Sequence, residues 1–301
     1  MVPIHRGTGG RAGYGDGMEI GIGTPNTLSM PGPEFAAWAR RAEERDFAAL
    51  ATIDRIVYPT YDSLTTLAVA AGATSRIRLF TDILLAPLYP PVWLAKATAS
   101  LDALSGGRLT LGLGVGGRDD DFAAMDRSMS RRGRLMDDTL DLLHRAWSGE
   151  PVAGGEFPVG PPPAAGGRVP ILIGGASDAA VARTIKYGEG WTAGGGGPQM
   201  MAPMVERIRR EWADAGREGE PRFSALIYFG LGDETASRAA LNQYYGFLGE
   251  WAERIADGAI RTPQAVKEAL TAYEEVGATE VMFIPTVASI DEVDRLADAL
   301  H

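Results

Sequence analysis

Short apolar runs alternate with amphipathic stretches along almost the whole chain. Residues 19–24 read as a strand, and 33–46 as a helix with Phe35, Trp38, Ala39 and Ala42 on one face. Strand 48–53, helix 61–74, strand 77–85 and helix 91–105 continue the alternation. The last of these opens on two prolines and closes on Gly106-Gly107, the usual asymmetry of helix ends. Residues 108–115 form a fourth strand, and 132–148 an amphipathic helix with Leu135, Leu142, Leu143 and Trp147 inward. Beyond a Pro- and Gly-rich loop at 149–170 come strand 170–173, helix 178–187, strand 190–193 and helix 198–215. Strand 223–230, helices 234–256 and 262–276, strand 280–284 and a closing helix at 290–300 complete the pattern.

Eight strands alternating with helices predict an α/β chain folded as a (β/α)8 TIM barrel, one domain over residues 18–301. A doubly wound open sheet is the rival, but its dinucleotide fingerprint is poorly matched. Gly112, Gly114 and Gly116 follow a strand with GxGxG spacing, not GxGxxG. Residues 1–17 lack an apolar core and read as a flexible Gly/Arg-rich tail rather than a signal peptide, with Met18 an alternative start.

Composition then narrows the chemistry. With 45% hydrophobic and 23% charged residues the 301-residue chain is globular, and a net charge of −10 disfavours nucleic acid. The absence of cysteine excludes disulfides, thiolate metal sites and cysteine nucleophiles, and suits the cytoplasm. His5, His144 and His301 are too scattered for a metal site, and no apolar run is long enough for a membrane helix.

Barrel chemistry gathers at the C-terminal ends of strands. Those ends place Asp54, Arg55 and Tyr58 after the second strand, Thr81 and Asp82 in the third with Tyr89 beyond, and Gly114, Val115 and Gly116 after the fourth. Gly174, Gly175, Ala176 and Ser177 follow the fifth strand and open a helix, Gly194 and Gly195 follow the sixth, and Tyr228 lies in the seventh. A strand–glycine–helix turn presents free N–H groups at the positive end of a helix, a geometry suited to phosphate. The glycines also have a plainer reading as tight turns, and Ser177 as a helix cap. Asp119–Asp121 reads as a solvated acidic loop, His144 and Trp191 as structural. Tyr58 and Tyr89 either line a substrate pocket or close the barrel top.

The run Ser100-Leu101-Asp102-Ala103-Leu104-Ser105-Gly106-Gly107-Arg108-Leu109-Thr110-Leu111-Gly112-Leu113-Gly114 resembles the signature of luciferase-like flavin-dependent oxidoreductases. The stretches beginning Asp54-Arg55, Ile173-Gly174-Gly175-Ala176-Ser177 and Tyr187-Gly188-Glu189-Gly190-Trp191 fit the same family in the same order. The resemblance implies a (β/α)8 barrel, usually dimeric, that binds reduced FMN or coenzyme F420 and either inserts oxygen into a small organic substrate or moves a hydride. It implies that Gly174, Gly175, Ala176, Ser177, Gly194 and Gly195 hold the phosphate, with Arg131 or Arg134 in reach. It also implies a cis Asp82–Ile83 peptide beside the flavin ring, and Gly114, Val115 and Gly116 passing close to it.

One departure matters. Family members often carry a histidine just after the second strand, whereas this chain has Asp54-Arg55 and no histidine at its mouth. Proton handling then falls to Asp54, Asp82, a tyrosine or water, with Arg55 a fixed cation. The plainer alternative pairs Arg55 with Asp54 or Asp82 as a cap. Three functions stay open. One is a reduced-FMN monooxygenase fed by a separate reductase, or an F420-dependent hydride-transfer enzyme. The others are a non-catalytic flavin-binding relative and an unrelated barrel lyase or isomerase acting on a sugar phosphate.

Overall fold

The computed structural model describes residues 13–14, 17–152, 154–164 and 166–301. Eight parallel strands close on themselves: β2 (Met18–Gly23), β3 (Ala49–Thr52), β4 (Arg78–Leu85), β5 (Leu109–Gly114), β6 (Ile171–Gly174), β7 (Gly190–Ala193), β8 (Arg222–Phe229) and β9 (Glu280–Pro285). Closure is made by β9 pairing with β2 from Glu19↔Glu280 to Ile22↔Phe283, which rules out an open doubly wound sheet. A two-residue strand, β1 (Gly13–Tyr14), adds antiparallel to β2. Tyr14 is buried, its hydroxyl 3.1 Å from Thr271 Oγ1, so Gly13 and Tyr14, expected within a flexible stretch over 1–17, pair with the barrel instead. Residues 1–12, 15 and 16 lie outside the described residues.

Helices α1 (Gly32–Glu44), α2 (Ser63–Ala73) and α3 (Pro91–Ser105) wrap the first strands; α4 (Asp119–Ala124) and α5 (Arg132–Trp147) follow β5. The second half carries α6 (Asp178–Tyr187), α7 (Pro198–Asp214), α8 (Glu234–Tyr245), α9 (Glu250–Asp257), α10 (Pro263–Glu275) and α11 (Asp291–Ala299). Asp62, Ser177, Asp233 and Thr262 each accept an N–H at the start of α2, α6, α8 and α10, the local chemistry that starts these helices where they start. On α5 the inward face is Met136, Leu140, Leu143 and Trp147, while Leu135 and Leu142 are only half-buried. The apolar stripe therefore sits one position round from the expected one.

The core has two parts. Between sheet and helices lies a continuous layer including Trp38, Leu67, Leu111 and Val266. Inside the barrel, Ala49, Ala51, Phe80, Leu172, Leu226, Met282 and Ile284 fill the lumen. The Ser105-Gly106-Gly107-Arg108 run turns out to be joinery at the end of the barrel opposite the mouth. The Arg108 guanidinium donates to the carbonyls of Ala71, Ile77 and Ser105 at 2.8–3.0 Å, locking the end of α2 to the start of β5. Asp102 supports the same junction by accepting the Ala164 N–H at 2.8 Å.

Candidate active site

The C-terminal ends of the strands surround a cavity of about 210 Å³. Asp54 and Arg55 enter it after β3, Asp82 and Ile83 from β4, and Gly117 and Arg118 after β5. Gly194 and Gly195 form its edge after β7, Leu226 and Tyr228 of the neighbouring β8 its adjoining wall, and Tyr244, Tyr245 and Phe247 arrive from above.

Two carboxylates dominate its chemistry. Asp82, 4% exposed, accepts the Thr192 hydroxyl on Oδ1 at 2.7 Å, and its Oδ2 has no partner among the described residues. Burial raises its pKa to about 7, against the opposing Thr192 bond. Asp54 is buried beside it, accepting the Leu85 N–H at 2.9 Å and the Tyr89 hydroxyl at 2.9 and 3.0 Å. Burial likewise lifts Asp54 to about 7, and the charges of Asp62 and Asp121 add to the rise. Each group therefore gains and loses a proton near neutrality, the property expected of the missing histidine.

Arg55 pairs with neither carboxylate, contrary to the plainer expectation. Its Nη2 donates to Asp120 at 2.9 Å, its Nε lies 3.2 Å from Asp121, and its guanidinium faces the Tyr58 ring at 5.3 Å. The expected solvated loop at 119–121 is also corrected. It is the first turn of α4, and the fully buried Asp121 accepts the N–H groups of Ile56 and Val57 at 3.1 and 2.6 Å, so it shapes the turn after β3.

Several residues expected at the cofactor have other work. Thr81 is fully buried and donates its hydroxyl to the Gly112 carbonyl at 2.9 Å. The Asp82–Ile83 peptide is cis, and the Ile83 side chain lies against β5 and β6. A Cβ on Gly114 would lie 2.1 Å from Ile83 Cδ1 and one on Gly174 3.1 Å, so both glycines are the seat of Ile83 rather than a direct approach to a ligand. Val115 is half-buried and Gly116, at φ +75°, sits over Phe122; the cavity meets the next two residues instead. Tyr89 is buried, spends its hydroxyl on Asp54 and stacks on Trp93 at 5.6 Å, so it does not line the mouth. Tyr58 packs edge-on against Tyr244 at 5.1 Å, and Tyr228 lines the cavity with its hydroxyl 2.7 Å from that of Tyr245. Arg131 and Arg134 are exposed outside it, Arg134 being 3.9 Å from Asp138.

Gly175, Ala176 and Ser177 are exposed at the start of α6. Gly175 adopts φ +107°, the Trp191 indole donates to its carbonyl at 2.7 Å, and Ser177 Oγ accepts the Ala180 N–H at 3.2 Å. Because Gly174 pairs with Thr192, this turn lies beside the Gly194–Gly195 edge. Thr192, Tyr244, Tyr245 and Phe247 escaped the sequence reading. Thr192 was detectable from strand alternation. The three aromatics flank Gly246 and Gly249, which break the helix expected over 234–256 and turn these rings over the mouth.

Residues 18–282 match the sequence profile of the family described as luciferase-like monooxygenase. An uncharacterized protein of Mycobacterium tuberculosis (strain ATCC 25618 / H37Rv) is 31% identical over 164 residues, covering 53% of this chain and 57% of that protein. Pyrimidine monooxygenase RutA of Methylorubrum extorquens (strain PA1) is 31% identical over 212 residues, 65% of this chain and 55% of the relative. These matches span little more than half of each relative's length. Among solved structures, a monooxygenase from Streptomyces bottropensis superposes with TM-score 0.74 at 22% identity, covering 94% of this chain and 96% of the other. An F420-dependent secondary alcohol dehydrogenase in complex with an F420–acetone adduct gives 0.75 at 16%, covering 94% and 99%. At those identities the likeness is one of fold. With the profile spanning nearly the whole barrel, the chain belongs to the luciferase-like monooxygenase family.

Proposed function

We propose that the chain is an oxidoreductase that binds reduced FMN across the barrel mouth and oxygenates a small organic substrate. The observation that carries this reading is Asp82, which lines a glycine-edged cavity with a buried Oδ2 that has no partner among the described residues, beside a second carboxylate that also titrates near neutrality. An unpaired polar atom at such depth is stabilised by a ligand that supplies its hydrogen bond. Gly194 and Gly195 leave open space where side chains would stand, room for a planar ring or its chain. The exposed turn at Gly175, Ala176 and Ser177 offers backbone N–H groups to a phosphate.

When bound, the reduced coenzyme would supply two electrons to dioxygen. The protein's own part is proton custody and exclusion of water. Thr192 fixes Asp82 Oδ1, leaving Oδ2 to give or take a proton toward the cavity. Tyr89 and the Leu85 N–H hold Asp54 in reserve, and Ile83, Leu226 and Tyr228 make the wall apolar. FMN is favoured over F420 because the chain carries a net charge of −10, a poor setting for a polyanionic tail. The Asp178 carboxylate at the first turn of α6 is already engaged by Arg207 at 2.8 Å. A separate flavin reductase, a homodimer and a cytoplasmic setting complete the proposal. Anaerobic titration with reduced FMN and reduced F420 tests it. FMN should bind the tighter, and dioxygen consumption should depend on added substrate. Tighter F420 binding would make the enzyme a hydride-transfer oxidoreductase, flavin binding without turnover a non-catalytic relative, and failure of both coenzymes would end the reading.

A further inference from the structure

A second cavity, about 710 Å³, adjoins the mouth and shares Gly195, Leu226, Tyr228 and Tyr245 with it. It passes over the end of β8. Leu226 and Tyr228 belong to the lumen of the barrel, whereas Ile227 belongs to the layer between sheet and helices, and all three line it. Ile255 of α9, Ile260 ahead of α10, and Ala269 within α10 extend the apolar wall. The size is that of a pocket for a drug-sized organic molecule.

Its polar groups are few and unspent. Tyr273 is 5% exposed, and its hydroxyl has no hydrogen-bond partner among the described residues; burial alone pushes it up to about 12. Arg254 lies with its guanidinium 4.6 Å from the Trp251 ring centroid, and both residues line the cavity. Because Tyr273 lines the cavity, its hydroxyl is open to an acceptor there. A cation held over an aromatic face at the edge of an apolar chamber offers one fixed charge to an anion. The paired hydroxyls of Tyr228 and Tyr245, 2.7 Å apart, stand at the neck between this chamber and the Asp54–Asp82 cavity.

We infer that this chamber binds the substrate, a mainly apolar organic acid such as a medium-chain or aryl-alkyl carboxylate, with oxygen atoms held by Arg254 and Tyr273 and the remainder reaching toward the Tyr228–Tyr245 neck. The naming of that ligand as substrate rests on the oxidoreductase reading; the binding site does not.

The test uses the full chain without coenzyme and two probes, decanoate and 1-decanol, followed by tryptophan fluorescence, with Trp251 at the chamber edge, and by calorimetry. Decanoate should bind saturably at one site. Arg254→Gln should weaken decanoate at least tenfold and leave 1-decanol within twofold. The isosteric Tyr273→Phe should weaken decanoate several-fold, and Ala269→Trp should block both probes. Absence of saturable decanoate binding, or affinities unmoved by all three substitutions, overturns the proposal. Reduced-FMN affinity, measured on the same variants by equilibrium dialysis, should stay unchanged. Loss of FMN binding in the unsubstituted chain with decanoate binding intact defeats the oxidoreductase reading alone, and FMN binding with decanoate unaffected by Ala269→Trp defeats the chamber alone.

Discussion

At the scale of the residue, burial is what lifts the carboxyls of Asp82 and Asp54 to about 7. Asp82→Asn keeps the shape and the Thr192 contact but cannot release a proton, so turnover should fall about 100-fold or more in steady-state assays while FMN binding survives. Thr192→Val removes the bond that opposes burial. The pH–rate limb belonging to Asp82 should then move to higher pH. The same groups bear on stability. Both bind protons more tightly folded than unfolded, so the coenzyme-free protein should lose stability as pH rises from 3.8 toward about 7, where urea unfolding at several pH values would show the slope. Asp82→Asn should flatten part of it.

At the scale of the element, the glycines divide by what surrounds them. No atom lies within 4 Å of a Cβ built on Gly194 or Gly195, so Gly194→Val with Gly195→Val should fold normally yet weaken reduced FMN by a factor readable in titration, about 100-fold. Gly114 is the opposite case. Gly114→Ala drives a methyl into Ile83 and should cost about 1–3 kcal/mol in urea unfolding, with partial rescue by Ile83→Val, which deletes the clashing Cδ1. These elements were largely legible before the fold was known: α3, α6 and β7 occupy their expected spans, because proline and glycine punctuate them. The 234–256 segment was not. Its apolar spacing carries through Leu241, Ala252 and Ala256, and only the Gly246 and Gly249 turn marks the break that puts Tyr244, Tyr245 and Phe247 over the mouth. Arg118 holds that turn, donating to the Tyr244 carbonyl at 2.8 Å with its guanidinium 3.4 Å from the Phe247 ring centroid.

At the scale of the molecule, barrel closure buries a charged knot at the end away from the mouth. Glu280, 1% exposed, accepts from Arg78 at 2.8 Å and Arg222 at 2.9 Å, and Arg78 also pairs with Glu19, so β2, β4, β8 and β9 are tied together. Burial opposes the charge on Glu280, but the two guanidiniums outweigh it and hold the carboxyl below its ordinary range. Its contribution is therefore present above the ordinary carboxylate value and lost as pH falls through the lowered one. Glu280→Gln leaves Arg222 without its anion and Arg78 with Glu19 alone, and should destabilise the barrel by about 3–5 kcal/mol in chemical denaturation.

Periodicity, helix caps and turn residues settled the barrel and placed Asp54, Asp82, Gly194, Gly195 and Tyr228 at strand ends, because those features act over a few residues and are written locally. Which carboxylate keeps a free oxygen, where Arg55 finds its anions, that Gly114 and Gly174 serve Ile83, and that a second chamber opens over β8 were decided only when the sheet closed. Those outcomes depend on burial and on neighbours brought together from distant parts of the chain, quantities that no local pattern encodes.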